Sequence, residues 1–128
     1  MRRRAFALLL VFVLLLTACA QAASYEQITQ EEAKQIMDTT NGYILLDTRT
    51  REEYDHSHIP GALLIPHTEI AQRAEEELPD KDQVILVYCR SGNRSKQASD
   101  KLVALGYTNI VEFGGINDWP GDVVTGAN

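Results

Sequence analysis

Short apolar runs alternate with amphipathic stretches along the chain from about residue 25. Five runs are compact and rich in strand-forming residues, and they predict strands at residues 25–29 (a strand or a turn), 43–46, 62–65, 84–88 and 109–113. Four stretches between them predict helices, at residues 30–40, 50–55, 68–78 and 95–105. Strands separated by helices indicate an α/β fold, with a parallel sheet of about five short strands covered by helices on both faces. In such sheets, sites form beyond the carboxyl ends of the strands.

The first residues have the pattern of an export signal. Arg2, Arg3 and Arg4 precede an unbroken apolar run over residues 5–16, which has the length of a signal-peptide core and is too short for a spanning helix. The run ends in Leu16-Thr17-Ala18-Cys19, which resembles the lipobox of bacterial lipoproteins. The sequence therefore predicts a signal peptide over residues 1–18, lipidation at Cys19, a tether over 19–24 and a domain over 25–128.

This prediction places the mature protein in a bacterial cell envelope, anchored to a membrane by its lipid and facing the periplasm or the exterior. Simple secretion, with cleavage near Ala20, Ala22 or Ala23, and a short membrane-spanning anchor remain the alternatives. The net charge is −6, and removal of residues 1–18 makes it more negative by three arginines. An acidic surface argues against binding to nucleic acid.

The chain has two cysteines, Cys19 and Cys89. If Cys19 carries lipid, Cys89 has no disulfide partner within the chain. An unpaired thiol in an exported protein indicates a reactive group or an intermolecular bond, and an inert buried cysteine is the alternative.

The segment around Cys89 favours a reactive thiol. A six-residue loop joins the strand over 84–88 to the helix expected from about Ser95, and it reads Cys89-Arg90-Ser91-Gly92-Asn93-Arg94. Gly92 and Asn93 tolerate left-handed backbone, so successive N–H groups can converge on an anion at the helix N-terminus. Because Arg90 and Arg94 add positive charge, the loop favours the thiolate of Cys89, which is the nucleophilic form.

Three motifs in order resemble the rhodanese family of single-domain sulfurtransferases. They are Tyr88-Cys89-Arg90-Ser91-Gly92-Asn93-Arg94-Ser95, then Leu46-Asp47-Thr48-Arg49 with Glu52-Glu53-Tyr54 and His58-Ile59-Pro60-Gly61-Ala62, and Gly114-Gly115-Ile116 with Trp119. Thr48 stands where the family has valine and Ser57 where it has glycine, and the chain ends soon after Trp119. The resemblance implies a three-layer rhodanese-like fold.

It also implies a reaction. Cys89 would take sulfane sulfur from a small anionic donor such as thiosulfate and pass it to a thiol, cyanide or a thiol-bearing protein, without a metal or organic cofactor. The loop residues Arg90, Ser91, Gly92, Asn93 and Arg94 would bind the anions. Asp47 and Arg49 would support the loop, and His58 and Trp119 would be structural.

Two other functions stay open. Related folds with a longer loop act as phosphatases or arsenate reductases, and a six-residue loop is narrow for a phosphate. Some rhodanese-like domains bind partners without catalysis, although those often lack the cysteine. His56 and His67 form no ligand pattern for a metal ion.

Overall fold

The structure is a computed structural model, and it describes residues 24–126. Five parallel strands form one sheet in the order β1-β5-β4-β2-β3. The strands are β1 (Glu26–Gln27), β2 (Ile44–Asp47), β3 (Leu63–Leu64), β4 (Ile85–Cys89) and β5 (Ile110–Gly115). The helices are α1 (Gln30–Thr39), α2 (Arg51–His56), α3 (Ile70–Glu77) and α4 (Asn93–Ala104), with 3-10 turns at His67–Glu69 and Ile116–Asp118.

Alternation along the strands gives the sheet two buried faces. Leu46, Ile85 and Val87 point to one face, where they pack with side chains of α3 and α4 such as Ile70 and Leu102. Their sequence neighbours point to the other face and pack with α1 and α2, for which the residues are Leu45, Leu86, Tyr88, Ala33 and Tyr54. The predicted three-layer α/β architecture is therefore confirmed.

The helices begin where local capping predicts. Thr29 accepts a bond from the Glu32 amide at the start of α1. Thr50 and Glu53 form a reciprocal capping box at the start of α2, which satisfies amides that an isolated helix end leaves unpaired. Gly106 follows α4 with a φ of +95°, the left-handed cap that its position predicts.

Three predicted boundaries were wrong. Helix α4 begins at Asn93, two residues before the predicted Ser95, because Gly92 takes a φ of +111° and turns the chain into the helix at once. The helix predicted over 68–78 is a 3-10 turn followed by α3. The strands predicted at 25–29 and 62–65 shrink to two residues each, since each lies at an edge and pairs with one neighbour.

The predicted signal peptide, Cys19 and the tether up to residue 23 lie outside the described residues, as do residues 127–128. Within the part of the chain that the structure does describe, none of the helices has the length and apolar character needed to span a bilayer.

Candidate active site

The carboxyl ends of β2, β4 and β5 bring the three sequence motifs to one edge of the sheet. Cys89 is the last residue of β4, and it pairs in register with Gly115 of β5. The pairing skips a residue on β5 between Glu112 and Gly115, and Gly114 in this bulge has a φ of +89°. A bulge bends its strand and re-aims the residues beside it, and here it brings the glycine pair alongside the cysteine.

The sulfur of Cys89 is enclosed by the start of α4. Its residue is 1% exposed, and the Gly92 N–H donates to Sγ over 3.0 Å. The sulfur also lies 3.3 Å from the Ser95 hydroxyl, to which the thiol can donate. One backbone amide and one hydroxyl therefore contact the sulfur at the positive end of a twelve-residue helix.

The loop between Cys89 and α4 is packed against β5 with no room for a side chain. A Cβ on Gly115 would lie well inside the 3.0 Å that real Cβ atoms keep from other atoms, against the carbonyl of Arg90 and the amide of Ser91. The Asn117 amide donates to the same Arg90 carbonyl over 3.2 Å. Residues 90–92 are thus held from one side by the glycine pair and the turn that follows it.

Asn93 and Arg94 belong to the first turn of α4, although the sequence placed them in the loop. Within residues 24–126 every positive φ is at glycine, so Asn93 does not use its tolerance of left-handed backbone. Arg94 makes two bonds to the Glu53 carboxylate, of 2.6 and 2.8 Å. The sequence gave Arg94 to an incoming anion, whereas the structure pairs it with an acid from α2.

The Arg94 guanidinium holds the pKa of the Glu53 carboxyl at about 2, below its usual 4.5. A carboxyl with a depressed pKa stabilises the fold above its unfolded value and loses that contribution as the pH falls. Unfolding stability should therefore drop between about pH 4.5 and pH 2, and Glu53→Gln should cost about 1–2 kcal/mol at pH 6 and less at pH 3. Urea unfolding at both pH values measures this, with Glu76→Gln on the exposed face of α3 as control. Equal costs at pH 6 and pH 3 would contradict the assignment.

Asp47 and Arg49 form a buried ion pair with each other. The Arg49 Nη2 lies 2.7 Å from Asp47 Oδ2 and also donates to the Ser57 carbonyl. The same carboxylate accepts the Arg49 amide. The pair thereby fixes the turn after β2 to the end of α2, beside the Cys89 loop.

A cavity of about 470 Å³ opens in front of this loop. Arg90 is exposed at its rim, and Arg49 and Asn117 also line it. The remaining lining residues are Glu52, Glu53, His56, Ser57 and Ile116. The Arg90 guanidinium is a cation that faces the cavity without an ion pair among the described residues, so an anionic ligand can approach the loop from this side.

A buried acid lies behind the loop. Glu112 of β5 is 2% exposed, and its Oε1 accepts the Ser95 hydroxyl over 2.6 Å and the Gly114 amide over 2.8 Å. Sequence reasoning missed both Ser95 and Glu112 as site residues. The available signal was an acid within the otherwise apolar strand of residues 110–113, because a carboxylate in a buried strand needs polar partners.

The other polar residues singled out from the sequence lie apart from the sulfur. His58 is fully buried, stacks on the Tyr54 ring at 3.7 Å and bonds the Tyr54 carbonyl through Nδ1. Trp119 packs against Phe113 with ring centroids 5.7 Å apart. Over residues 24–126 no group of His, Cys, Asp or Glu side chains is arranged to hold a metal ion.

Comparison with known proteins agrees with this geometry. The family model described as the rhodanese-like domain matches residues 29–122. The chain is similar to thiosulfate sulfurtransferase PspE of Escherichia coli (strain K12), with 38% identity over 73 residues, which are 57% of this chain and 70% of that protein. It is 36% identical to the putative sulfur carrier protein YrkF of Bacillus subtilis (strain 168) over 78% of this chain, and it spans about half (54%) of that protein.

A solved structure has the same fold. It is described as rhodanese with anions from E. coli, and it superposes with a TM-score of 0.62 at 36% identity. The match covers 66% of this chain and 99% of that one.

Proposed function

The chain belongs to the rhodanese-like domain family, and from that premise we propose that it is a sulfurtransferase that carries sulfane sulfur on Cys89. The observation that carries the proposal is the position of Cys89: it ends the central strand β4, and its sulfur accepts the Gly92 amide at the N-terminus of α4. The curated relative PspE is named a thiosulfate sulfurtransferase, which supports the same class of reaction.

The proposed reaction has two steps. The Cys89 thiolate attacks the outer sulfur of a donor such as thiosulfate; a sulfur–sulfur bond forms, the bond from that sulfur to the sulfonate group breaks, and sulfite leaves with the bonding pair. An acceptor thiolate or cyanide then attacks the outer sulfur of the persulfide, and Cys89 recovers its electron pair as thiolate. This is a ping-pong scheme with a covalent intermediate, and it needs no cofactor.

The surroundings of the sulfur support this chemistry. The amide of Gly92 and the positive end of α4 stabilise a negative charge on sulfur. Arg90 at the rim of the front cavity is the cation proposed to attract the anionic donor, because Arg94 is already paired with Glu53. A thiol-bearing protein is proposed as a further acceptor, since the sulfur loop lies at the end of the sheet beside an open cavity.

The phosphatase reading is less favoured by the loop. Three residues, 90–92, separate β4 from α4, and the backbone of β5 blocks their retreat at Gly115. A phosphate bound to sulfur would need a wider ring of amides than this loop offers. The binding-module reading has the weaker support because the chain retains Cys89 in the nucleophile position.

Incubation with thiosulfate tests the function. We expect unmodified protein to gain the mass of one sulfur atom in intact-mass spectra and to lose it again on addition of cyanide, which becomes thiocyanate. A small aryl phosphate is the parallel substrate and should not be hydrolysed. Hydrolysis of the phosphate without any sulfur gain would overturn the proposal in favour of the oxyanion enzymes.

We further propose that the domain is held at a bacterial membrane through lipid on Cys19, on the strength of the box Leu16-Thr17-Ala18-Cys19. Expressed with its leader, the chain should fractionate with membranes, and Cys19→Ala should move most of it to the soluble fraction, since two or more acyl chains give stable anchoring. Thr17→Ser is the control that keeps the cysteine. A mature wild-type chain that starts after Cys19 and carries no lipid mass would refute the anchor.

A further inference from the structure

We propose that Glu112 is the proton acceptor for the Cys89 thiol and that it acts through the hydroxyl of Ser95. The inference rests on the proposed function in that Cys89 is the nucleophile. It assigns a role to a buried acid that sulfur transfer, as derived above, does not use.

The three groups form a continuous line of hydrogen bonds. Cys89 Sγ lies 3.3 Å from Ser95 Oγ, and Ser95 Oγ lies 2.6 Å from Glu112 Oε1. All three residues are at most 2% exposed. Bulk water therefore has little access to the thiol, and a proton that leaves Sγ needs a partner inside the protein.

The hydroxyl hydrogen decides the direction of the line. Ser95 has one hydrogen and several acceptors, of which the Glu112 carboxylate is the nearest and the charged one. Once that hydrogen points at Glu112, the Ser95 oxygen presents its lone pairs to Cys89, so the thiol donates to it. The arrangement is a donor–donor–acceptor chain from sulfur to carboxylate.

The transfer balances in charge and atoms. The thiol proton moves to Ser95 Oγ while the Ser95 hydroxyl proton moves to Glu112 Oε1, which turns a thiol and a carboxylate into a thiolate and a carboxylic acid. The carboxylic acid then donates back to Ser95, and the Ser95 hydroxyl turns to donate to the thiolate. The thiolate gains a second hydrogen bond besides that from Gly92, at the moment it needs stabilisation.

The carboxylate has its own opening, separate from the front cavity. Glu112 lines a second cavity of about 450 Å³ on the other side of residues 91–92, together with Gln27, Gln30 and Lys96. The carboxamide of Gln27 lies 3.4 Å from Glu112 Oε2. A proton taken from Cys89 can therefore leave through the rear cavity while donor and acceptor use the front one.

Charged groups around the line come from several elements. Arg94 on α4 interacts with Cys89, and Tyr25 before β1 interacts with Glu112. Lys96, Glu31 and Asp118 line the rear cavity from α4, α1 and the final 3-10 turn. In the described chain, Glu112 makes no ion pair within 4.0 Å, which leaves its carboxylate free to accept a proton.

The pH profile of Cys89 alkylation by iodoacetamide tests the relay, because alkylation reports the thiolate and needs no sulfur donor. Glu112→Gln keeps the shape and an acceptor for Ser95 but cannot take the proton. We expect its alkylation at pH 7 to fall roughly tenfold or more and its profile to move up by about one pH unit or more. Ser95→Ala should do the same, whereas Ser95→Thr should restore most of the rate.

Glu76→Gln on α3 is the control for a lost charge, and thermal unfolding checks that the variants are folded. If Glu112 were a spectator anion, its removal would favour the thiolate, so an equal or faster rate in Glu112→Gln overturns the relay. The two proposals separate cleanly: wild type that loads sulfur with unchanged alkylation in the variants sinks the relay alone. A shifted profile in a protein that never loads sulfur sinks the sulfurtransferase alone.

Discussion

Cys89→Ser removes sulfur loading and leaves the fold in place. The hydroxyl is close in size to the thiol and keeps the Gly92 and Ser95 contacts, so stability should change by no more than about 1–2 kcal/mol. An alcohol is not ionised at neutral pH and does not form a stable persulfide. After incubation with thiosulfate, the variant should show no gain of one sulfur in its intact mass, and thiocyanate formation should fall by on the order of 10³-fold or more.

Cys19→Ser is the matched control, because it removes the other cysteine of the chain. That variant should gain the same mass as the wild type. Sulfur retained on the Cys89→Ser protein would show that the carrier lies elsewhere and would contradict the assignment of Cys89.

Gly115→Ala should disable the site through backbone rather than chemistry. The added Cβ meets the Arg90 carbonyl and the Ser91 amide, which are backbone atoms and cannot rotate away. Either the loop or the end of β5 must move, and overpacking of this kind costs about 1–3 kcal/mol. Since the Gly92 amide that contacts the sulfur lies two residues from the clash, sulfur loading should be lost even under conditions in which the variant is folded. Urea unfolding and intact mass measure the two effects.

Gly42→Ala provides the comparison. Gly42 has a φ of +79° and open space around its would-be Cβ, so this change should cost about 1–2 kcal/mol of backbone strain and leave loading intact. A Gly115→Ala protein that loads sulfur at the wild-type rate would mean that the loop tolerates displacement, and the argument from close packing would be wrong.

Local pattern was sufficient for the fold and for the position of the nucleophile. The apolar run over 84–88 has the composition of a strand buried on both faces, and the structure places it at the centre of the sheet. Gly92 marked the turn into the next helix because a positive φ there favours glycine. The start of that helix was misplaced because Asn93 and Arg94 are equally compatible with a loop, and the tight turn at Gly92 decided between them.

The partners of the site residues were not predictable because they are distant along the chain. Arg94 meets Glu53 across 41 positions, and Ser95 meets Glu112 across 17. Sequence showed Glu53 as part of a helix start and a family motif, and its second partner depends on how α2 packs beside α4. An acid in a strand such as β5 signals that some polar partner exists, but the bulge that brings Ser95 and Gly114 to it is a tertiary feature.

The sheet order has a consequence for the growing chain. β4 receives its second neighbour from β5, and the Arg90 carbonyl receives its hydrogen bond from Asn117. A nascent chain released only as far as α4 therefore carries Cys89 without the wall formed by Gly115, without Glu112 and without the clamp on residue 90. Because chains are made from the N-terminus, the thiol passes through a stage in which it is present but neither enclosed nor equipped. Its reactivity is acquired with the last structured segment of the domain.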